Sequence, residues 1–224
     1  MSRLDFFCKI EDKYNIALKK DRGVILRFDA RNTTKNKSIN LLDESEGSFS
    51  YALKQTAKLL SSKYKCIVYI ACDEINILIN NKNFFTLFKS NYAQEICCTL
   101  SQELSKYFHS FYKKEFIIFA GRAFSVYQDN FNSYLLFRKH NNVSVLTTYY
   151  VKRFSNLNYI NINYNDLHKL AMKYLPEYNN RTVFQKEGIV YYNGFEFEIE
   201  EVLTSKNLNK LISEKYPISP IIKK

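Results

Sequence analysis

A chain of 224 residues with 46% hydrophobic side chains can bury a sizeable core, as one large domain or a domain with an appendage. Its net charge of +11 points to a polyanionic partner, nucleic acid foremost, with a solvated basic surface as the plainer account. Scarce glycine (5) and proline (3) exclude a disordered or linker-rich chain.

In chain order, Gly23 to Phe28 reads as a buried strand after a charged turn at Lys19 to Arg22, and a polar stretch follows from Arg31 to Asn40. Ser45 to Ser62 reads as a helix with an apolar face at Tyr51, Leu53, Ala57, Leu59 and Leu60. The run Cys66 to Ile79 is β-branched and apolar apart from Asp73, Glu74 and Asn76, so it predicts two strands joined at the acidic pair. Phe84 to Phe111 predicts a helix broken near Asn91, and Phe116 to Val126 another strand. Asp129 is placed to cap a long helix running to about Arg153. A helix from Asn165 to Tyr174 then leads past Pro176 to the alternating segments Gly188–Tyr192 and Phe195–Ile199. Between them stands Asn193-Gly194, a hairpin turn signal. Ser205 is read as the cap of a last helix to Tyr216. The order predicts an α+β fold with a palm-like antiparallel sheet and helices packed on one face, plus a small C-terminal helix and hairpin region. We divide it into a palm-like catalytic domain, 1–155, and a C-terminal extension packed on it, 156–224.

No apolar run reaches the roughly 18 residues of a membrane span, and the start Met1-Ser2-Arg3-Leu4-Asp5 has no apolar signal segment. Five cysteines and three scattered histidines show no metal-ligand spacing. Reduced thiols, no membrane partner and a cytoplasmic location are therefore expected.

Chemistry is expected from the acids. Asp29 ends the first strand, and Asp73 and Glu74 lie between the second and third. In a β-α-β-β unit their carboxylates can meet at one edge of the sheet. Buried carboxylates need a cation or solvent, so the alternatives are a Mg²⁺ site and an exposed acidic turn. Two Mg²⁺ ions about 3.5–4 Å apart would serve phosphoryl or nucleotidyl transfer.

These residues resemble the tRNA-histidine guanylyltransferase family, and more closely its broader 3′-5′ polymerase branch. The family's Arg-x-Asp-Gly-Arg-x-Phe is matched by Arg27-Phe28-Asp29-Ala30-Arg31-Asn32-Thr33, and its Ser-Asp-Glu by Cys72-Asp73-Glu74. Its Phe-Asp-x-Arg and Tyr-x-x-Trp-Arg are matched by Phe119-Ala120-Gly121-Arg122 and Tyr134-Leu135-Leu136-Phe137-Arg138. Phe184 to Val190 resembles its late Lys-Gly strand. The resemblance implies a palm fold and metal-dependent addition of nucleotides to RNA 5′ ends. RNA (tRNA foremost) and nucleoside triphosphates are the implied partners, with two Mg²⁺ ions as cofactors and GTP and/or ATP as substrates. It leaves room for a homo-oligomer, dimer or tetramer. By this resemblance Asp29, the Ala30 carbonyl and Asp73 hold the metals, and Glu74 supports or shares one, making Asp29, Asp73 and Glu74 the catalytic set. Asp29, Ala30, Arg31, Asn32, Thr33, Thr34, Lys37, Cys72 and Asp73 bind the nucleotide, the backbone of 30–34 acting as an anion nest. Arg122 and Arg138 are candidate contacts to RNA or phosphate. As residues alone, Arg122 reads more often as a surface or structural ion pair, and Arg138 as a side chain snorkelling from the core.

The chain departs from the family's pattern in four places. Ala30 replaces a glycine, and Ala120 replaces an acid. Asp43-Glu44-Ser45-Glu46 stands where the family has Lys-Pro-x-Asp, with Lys37 as the stand-in phosphate contact. Asn141 to Leu146 lacks the polar residues that help set the family's substrate. Template-paired addition to truncated RNA 5′ ends, or another RNA altogether, is therefore expected over dedicated guanylylation of tRNA-histidine. The alternatives are a palm-type enzyme making a small nucleotide product and a catalytically dead RNA-binding relative.

Overall fold

Strand β1 (Gly23–Ala30) sends Val24, Leu26, Phe28 and Ala30 to one side and Arg27 and Asp29 to the other. The computed structural model describes residues 16–19, 21–31, 33, 36, 38–80, 84, 87–88, 90–154 and 162–215. Helix α1 (Phe49–Tyr64) starts after Ser48, whose hydroxyl accepts the Tyr51 N–H at 3.1 Å. This serine, and not Ser45, satisfies an otherwise orphaned amide of the first turn. Ala52, Leu53, Ala57 and Leu60 give α1 a wholly buried stripe. Strands β2 (Ile67–Ala71) and β3 (Glu74–Ile79) form a hairpin whose turn is Cys72-Asp73. Cys72 has φ +56°, the left-handed backbone such a two-residue turn needs at its first position.

Helix α2 (Ala93–Phe111) buries Ile96, Leu100, Leu104 and Phe108, one per turn. It begins later than Phe84; residues 81–83, 85–86 and 89 lie outside the described residues. Strand β4 (Phe119–Val126) leads through a 3-10 turn, Gln128–Asn130, into the long helix α3 (Phe131–Phe154). Asp129 thus sits inside that turn and does not cap the helix. Helix α4 (Tyr164–Tyr174) is capped by Asn163. The short α5 (Val183–Glu187) opens with a Thr182–Gln185 capping box. Strands β5 (Ile189–Tyr192) and β6 (Phe195–Phe197) form the expected hairpin, with φ +51° at Asn193 and +81° at Gly194. The short α6 (Ile199–Thr204) and α7 (Leu208–Lys215) follow. Ser205 closes α6, while the Asn207 side-chain oxygen accepts from the first turn of α7.

The strands form one antiparallel sheet in the order β4-β1-β3-β2-β5-β6. The α+β palm-like sheet expected from the sequence is present, and the C-terminal hairpin extends it through β5 on β2. Helices α1 and α2 cover one face. Phe28 fills the space above Gly121, where a Cβ would lie 2.5 Å from its ring and 3.4 Å from Cys97 of α2. Phe108 of α2 meets Phe49 and Phe119 with ring centroids 5.1 and 5.2 Å apart. Each such fully buried aromatic contributes about 1.5–3 kcal/mol. The opposite face carries α3 as well, and there the alternation of β1 and β3 sets polar residues. That face holds Arg27, Asp29, Glu74 and Asn76, so the same period of two that builds the core builds the site.

Candidate functional site

Asp29 and Glu74 are register partners on β1 and β3, so their side chains share a face. Asp73 lies in the turn just before Glu74, and its carbonyl accepts the Ala30 N–H at 2.9 Å. That bond carries the β1–β3 pairing past the strand ends and locks the two candidate ligand segments together. Thr33, almost wholly buried, donates its hydroxyl to the Ala30 carbonyl at 3.2 Å and makes a short hydrogen bond to Asp73 Oδ2. Burial pushes the Asp73 carboxyl above its ordinary range; the Thr33 bond works against this, and the negative charge of Asp29 adds to it.

Arg27 binds Asp29 Oδ1 through Nε and Nη2 at 3.1 and 2.5 Å, and its Nε lies 2.8 Å from Glu74 Oε2. Burial lowers the proton affinity of Arg27, but Glu74 and Asp29 more than offset it, so the group is held firmly charged. Glu74 is 3% exposed. Arg138 clamps it from α3, donating Nε to Oε1 at 2.8 Å and Nη2 to Oε2. Asn76 donates to Oε1 at 2.5 Å, and the Tyr134 hydroxyl donates to Asn76 at 2.6 Å. Arg122 reaches Asp29 Oδ2 at 3.8 Å from a side chain 65% exposed.

The residues expected from the sequence thus fall into groups. Asp29, Ala30, Thr33 and Asp73 come together. Glu74 joins their face, yet both its oxygens are engaged by two guanidiniums and an amide. Arg138, a candidate RNA or phosphate contact, is 7% exposed and spends its Nε and Nη2 on Glu74. Cys72, expected to line the nucleotide pocket, is 1% exposed, and burial, with the Asp73 charge behind it, raises its thiol well above the ordinary range. The anion nest over 30–34 is shortened: the Ala30 amide is spent on Asp73 and the Arg31 amide on Ile118 O at 2.9 Å. Arg31 itself is exposed. Asn32, Thr34 and Lys37 lie outside the described residues. In the loop that departs from the family's pattern, Glu44 binds Lys54 at 2.5 Å and also meets Thr182, which ties the loop to α1 and α5.

Arg27, Asn76 and Tyr134 were not singled out as site residues. The signal for Arg27 was its i, i+2 spacing from Asp29 on one strand.

The chemistry open to Asp29, Asp73 and the Ala30 carbonyl is that of hard oxygen donors. Among the described residues no cluster of three or more His, Cys, Asp and Glu side chains is arranged to hold a metal. Two carboxylates and a carbonyl are the smaller set that Mg²⁺ uses, with substrate phosphates completing it. The fit is favourable, since a cation would relieve the raised proton affinity of Asp73. A cleft of about 530 Å³ between α2 and β4 is lined by Cys97, Ser101, Gly121 and Ala123, with Arg122, the residue that reaches Asp29, at its edge. Among the described residues no helix is long and apolar enough to cross a membrane.

No family model matches the chain, and no curated protein sequence is significantly similar to it. Solved structures are. A bacterial tRNA(His) guanylyltransferase (Thg1)-like protein in complex with ATP superposes with a TM-score of 0.69 and 24% identity, over 85% of this chain and 88% of the other. A bacterial Thg1-like protein in complex with GTP gives 0.66 and 24%, over 84% and 83%. The tRNA(His) guanylyltransferase of Saccharomyces cerevisiae gives 0.62 and 14%, over 82% and 91%. The chain therefore has the fold of these proteins across most of its length.

Proposed function

We propose that the chain is a metal-dependent nucleotidyltransferase that adds nucleotides from GTP or ATP to the 5′ end of an RNA, tRNA foremost. The observation that carries this reading is the pairing of Asp29 and Asp73 through the Ala30–Asp73 backbone bond, with Thr33 holding the Ala30 carbonyl and the Asp73 carboxylate together. Support comes from the fold, shared with proteins solved in complex with ATP and GTP.

In this reading Asp29, Asp73 and the Ala30 carbonyl hold magnesium. When bound, magnesium supplies positive charge to the phosphate undergoing transfer. Thr33 orients two of the donors. Arg27 fixes Asp29 from beside it, and Glu74, itself held by Arg138, fixes Arg27. Glu74 thus acts as an anchor and not as a ligand. Arg122, whose side chain is mostly exposed, takes negative charge on the triphosphate. A residue at or after position 32, with Lys37 as the cation, receives the remaining phosphates.

The test is transfer of labelled GTP or ATP into total tRNA and into 5′-truncated tRNA. Asp29→Asn and Asp73→Asn each lower transfer by about 10²–10³-fold or more, since each removes charge acting on the transition state. Near wild-type transfer in either variant overturns the assignment. A small labelled product formed without RNA would turn it toward a cyclase-like activity.

A further inference from the structure

Just before β4 the chain presents an apolar strip that the site does not use. Phe116 is 79% and Ile118 56% exposed, while Ile117 (4%) and Phe119 (3%) are buried, so Phe116 and Ile118 share the outward side. One face of the Phe116 ring lies on the His109 imidazole, with centroids 5.2 Å apart and planes 6° from parallel. His109 is itself fixed, its ring nitrogens 3.3 Å from Tyr112 O and 3.2 Å from Ile117 O. Among the described residues, the rest of the Phe116 side chain is largely exposed. Around the strip stand the exposed Lys113, Lys114 and Arg31, and Lys114 also faces the charge of Asp43. The acid within the strip, Glu115, is occupied: it accepts from Asn36 at 2.6 Å and from the Ser38 hydroxyl.

The strip adjoins the candidate site. The Arg31 amide binds Ile118 O, and Asp29 sits opposite Ala120. Four residues of chain span at most about 14 Å, so Phe116 lies within a few nucleotides' reach of Asp29.

We propose that Lys113, Lys114, Phe116, Ile118 and Arg31 form a docking surface for a single-stranded stretch of the substrate RNA, with an unpaired base stacked on Phe116. The proposal rests on the RNA reading above and adds where the RNA lies. A pre-set aromatic ring with cationic residues close by in the chain suits a base and its flanking phosphates. Sequence-tolerant recognition of unpaired nucleotides works in this way, whereas an A-form duplex offers no free base face. Two apolar side chains among charges are too small a patch for a stable protein interface.

Affinity for a 5′-truncated tRNA, whose 3′ strand is left unpaired, tests this. The assays are equilibrium binding, with ATP affinity measured in parallel, and crosslinking of RNA carrying 4-thiouridine in the unpaired stretch. Phe116→Ala weakens RNA binding about tenfold, Phe116→Trp preserves it, and ATP affinity stays unchanged in both. Lys113→Ala with Lys114→Ala lowers the slope of log affinity against log salt by about 1.4–1.8. In the wild-type protein the crosslink maps to residues 113–118, a readout independent of how any variant folds. RNA affinity unchanged in Phe116→Ala, or a crosslink that maps elsewhere, overturns the proposal while leaving RNA binding itself in place. Loss of self-association in Phe116→Ala with RNA affinity intact would assign the strip to a second copy of the chain, and also overturns it. A wild-type protein that binds no RNA at any salt fails the parent reading instead.

Discussion

Replacing Glu74 by Gln separates an anchor from a metal ligand. In the folded protein Glu74 is 3% exposed and meets Arg138, Arg27 and Asn76. Gln is nearly isosteric, so packing hardly changes, but the negative charge is lost. Arg27 retains Asp29 as a partner. Arg138, 8% exposed on its side chain, is left facing an amide whose nitrogen donates, as its own nitrogens do. Breaking a buried pair in this way costs about 3–5 kcal/mol. Against a typical stability of about 5–15 kcal/mol, that is a large share. For a domain of this length it corresponds to a Tm lowered by about 6–20 °C, measured by calorimetry. Adding Arg138→Gln to Glu74→Gln recovers part of the loss, because the stranded guanidinium is then gone. Asp73→Asn is the control: it removes a carboxylate whose burial and proximity to Asp29 disfavour its charge, so its Tm is unchanged or higher. If Glu74→Gln melted like the wild type while losing Mg·ATP binding, the anchor reasoning would be refuted and Glu74 would be a ligand.

Asp73 also sets a pH dependence. Its folded pKa is raised above the ordinary value of 3.8, so as pH rises from there through the folded pKa the folded state holds the proton longer and stability falls; Asp73→Asn removes that downward slope in pH-dependent melting. Thr33→Val, a change of shape-matched side chains, deletes the hydroxyl shared by Ala30 O and Asp73, and Mg·ATP affinity by calorimetric titration drops about 10–100-fold with little change in Tm. Gly188→Ala is expected to cost more than about 3 kcal/mol by chemical denaturation. Its φ of +81° with ψ −173° suits glycine alone, and a Cβ would lie 2.4 Å from Ile70 O.

The elements were legible where local chemistry decides them. Asn193-Gly194 supplies positive φ at both turn positions, and the apolar runs of β1, β2 and β3 have no other stable use than a covered sheet. Asp29 and Asp73 were legible for a related reason, since an acid at the end of an apolar strand must meet solvent or a cation. What lay beyond reach was the partner of each charge. Glu74 and Arg138 are separated by 64 positions, and only the docking of α3 on the polar face brings them together. Arg138 therefore read either as a cation available to RNA or as a side chain snorkelling from the core, with its acidic partner unnamed. Likewise the nest at 30–34 could be written from a motif, but the loss of two of its amides to Asp73 and Ile118 depends on the register of β1 against its neighbours.

Those pairings have a consequence for how the site fills. Three carboxylates, Asp29, Asp73 and Glu74, stand among three guanidiniums, Arg27, Arg122 and Arg138. The cluster is close to neutral before any ligand arrives, and Arg27 already holds one oxygen of Asp29. A bare divalent cation would add positive charge beside Arg27 and Arg122, and so gains little from Coulomb attraction. A nucleoside triphosphate reverses this, because its phosphates offset both the metal and Arg122. Metal and nucleotide should therefore bind as a coupled pair, with Mg²⁺ bound at least about tenfold more tightly when the triphosphate is present, within the usual range for coupled ligands. Calorimetric titration of Mn²⁺ or Mg²⁺ into the protein, with and without a non-hydrolysable ATP analogue and corrected for the metal–nucleotide complex in solution, measures the factor. Arg122→Ala, which tips the free cluster toward negative charge, should strengthen binding of the bare metal and weaken that of the triphosphate. Equal metal affinity with and without nucleotide, or no such inversion in Arg122→Ala, would show that the charge balance around Asp29 does not govern loading of the site.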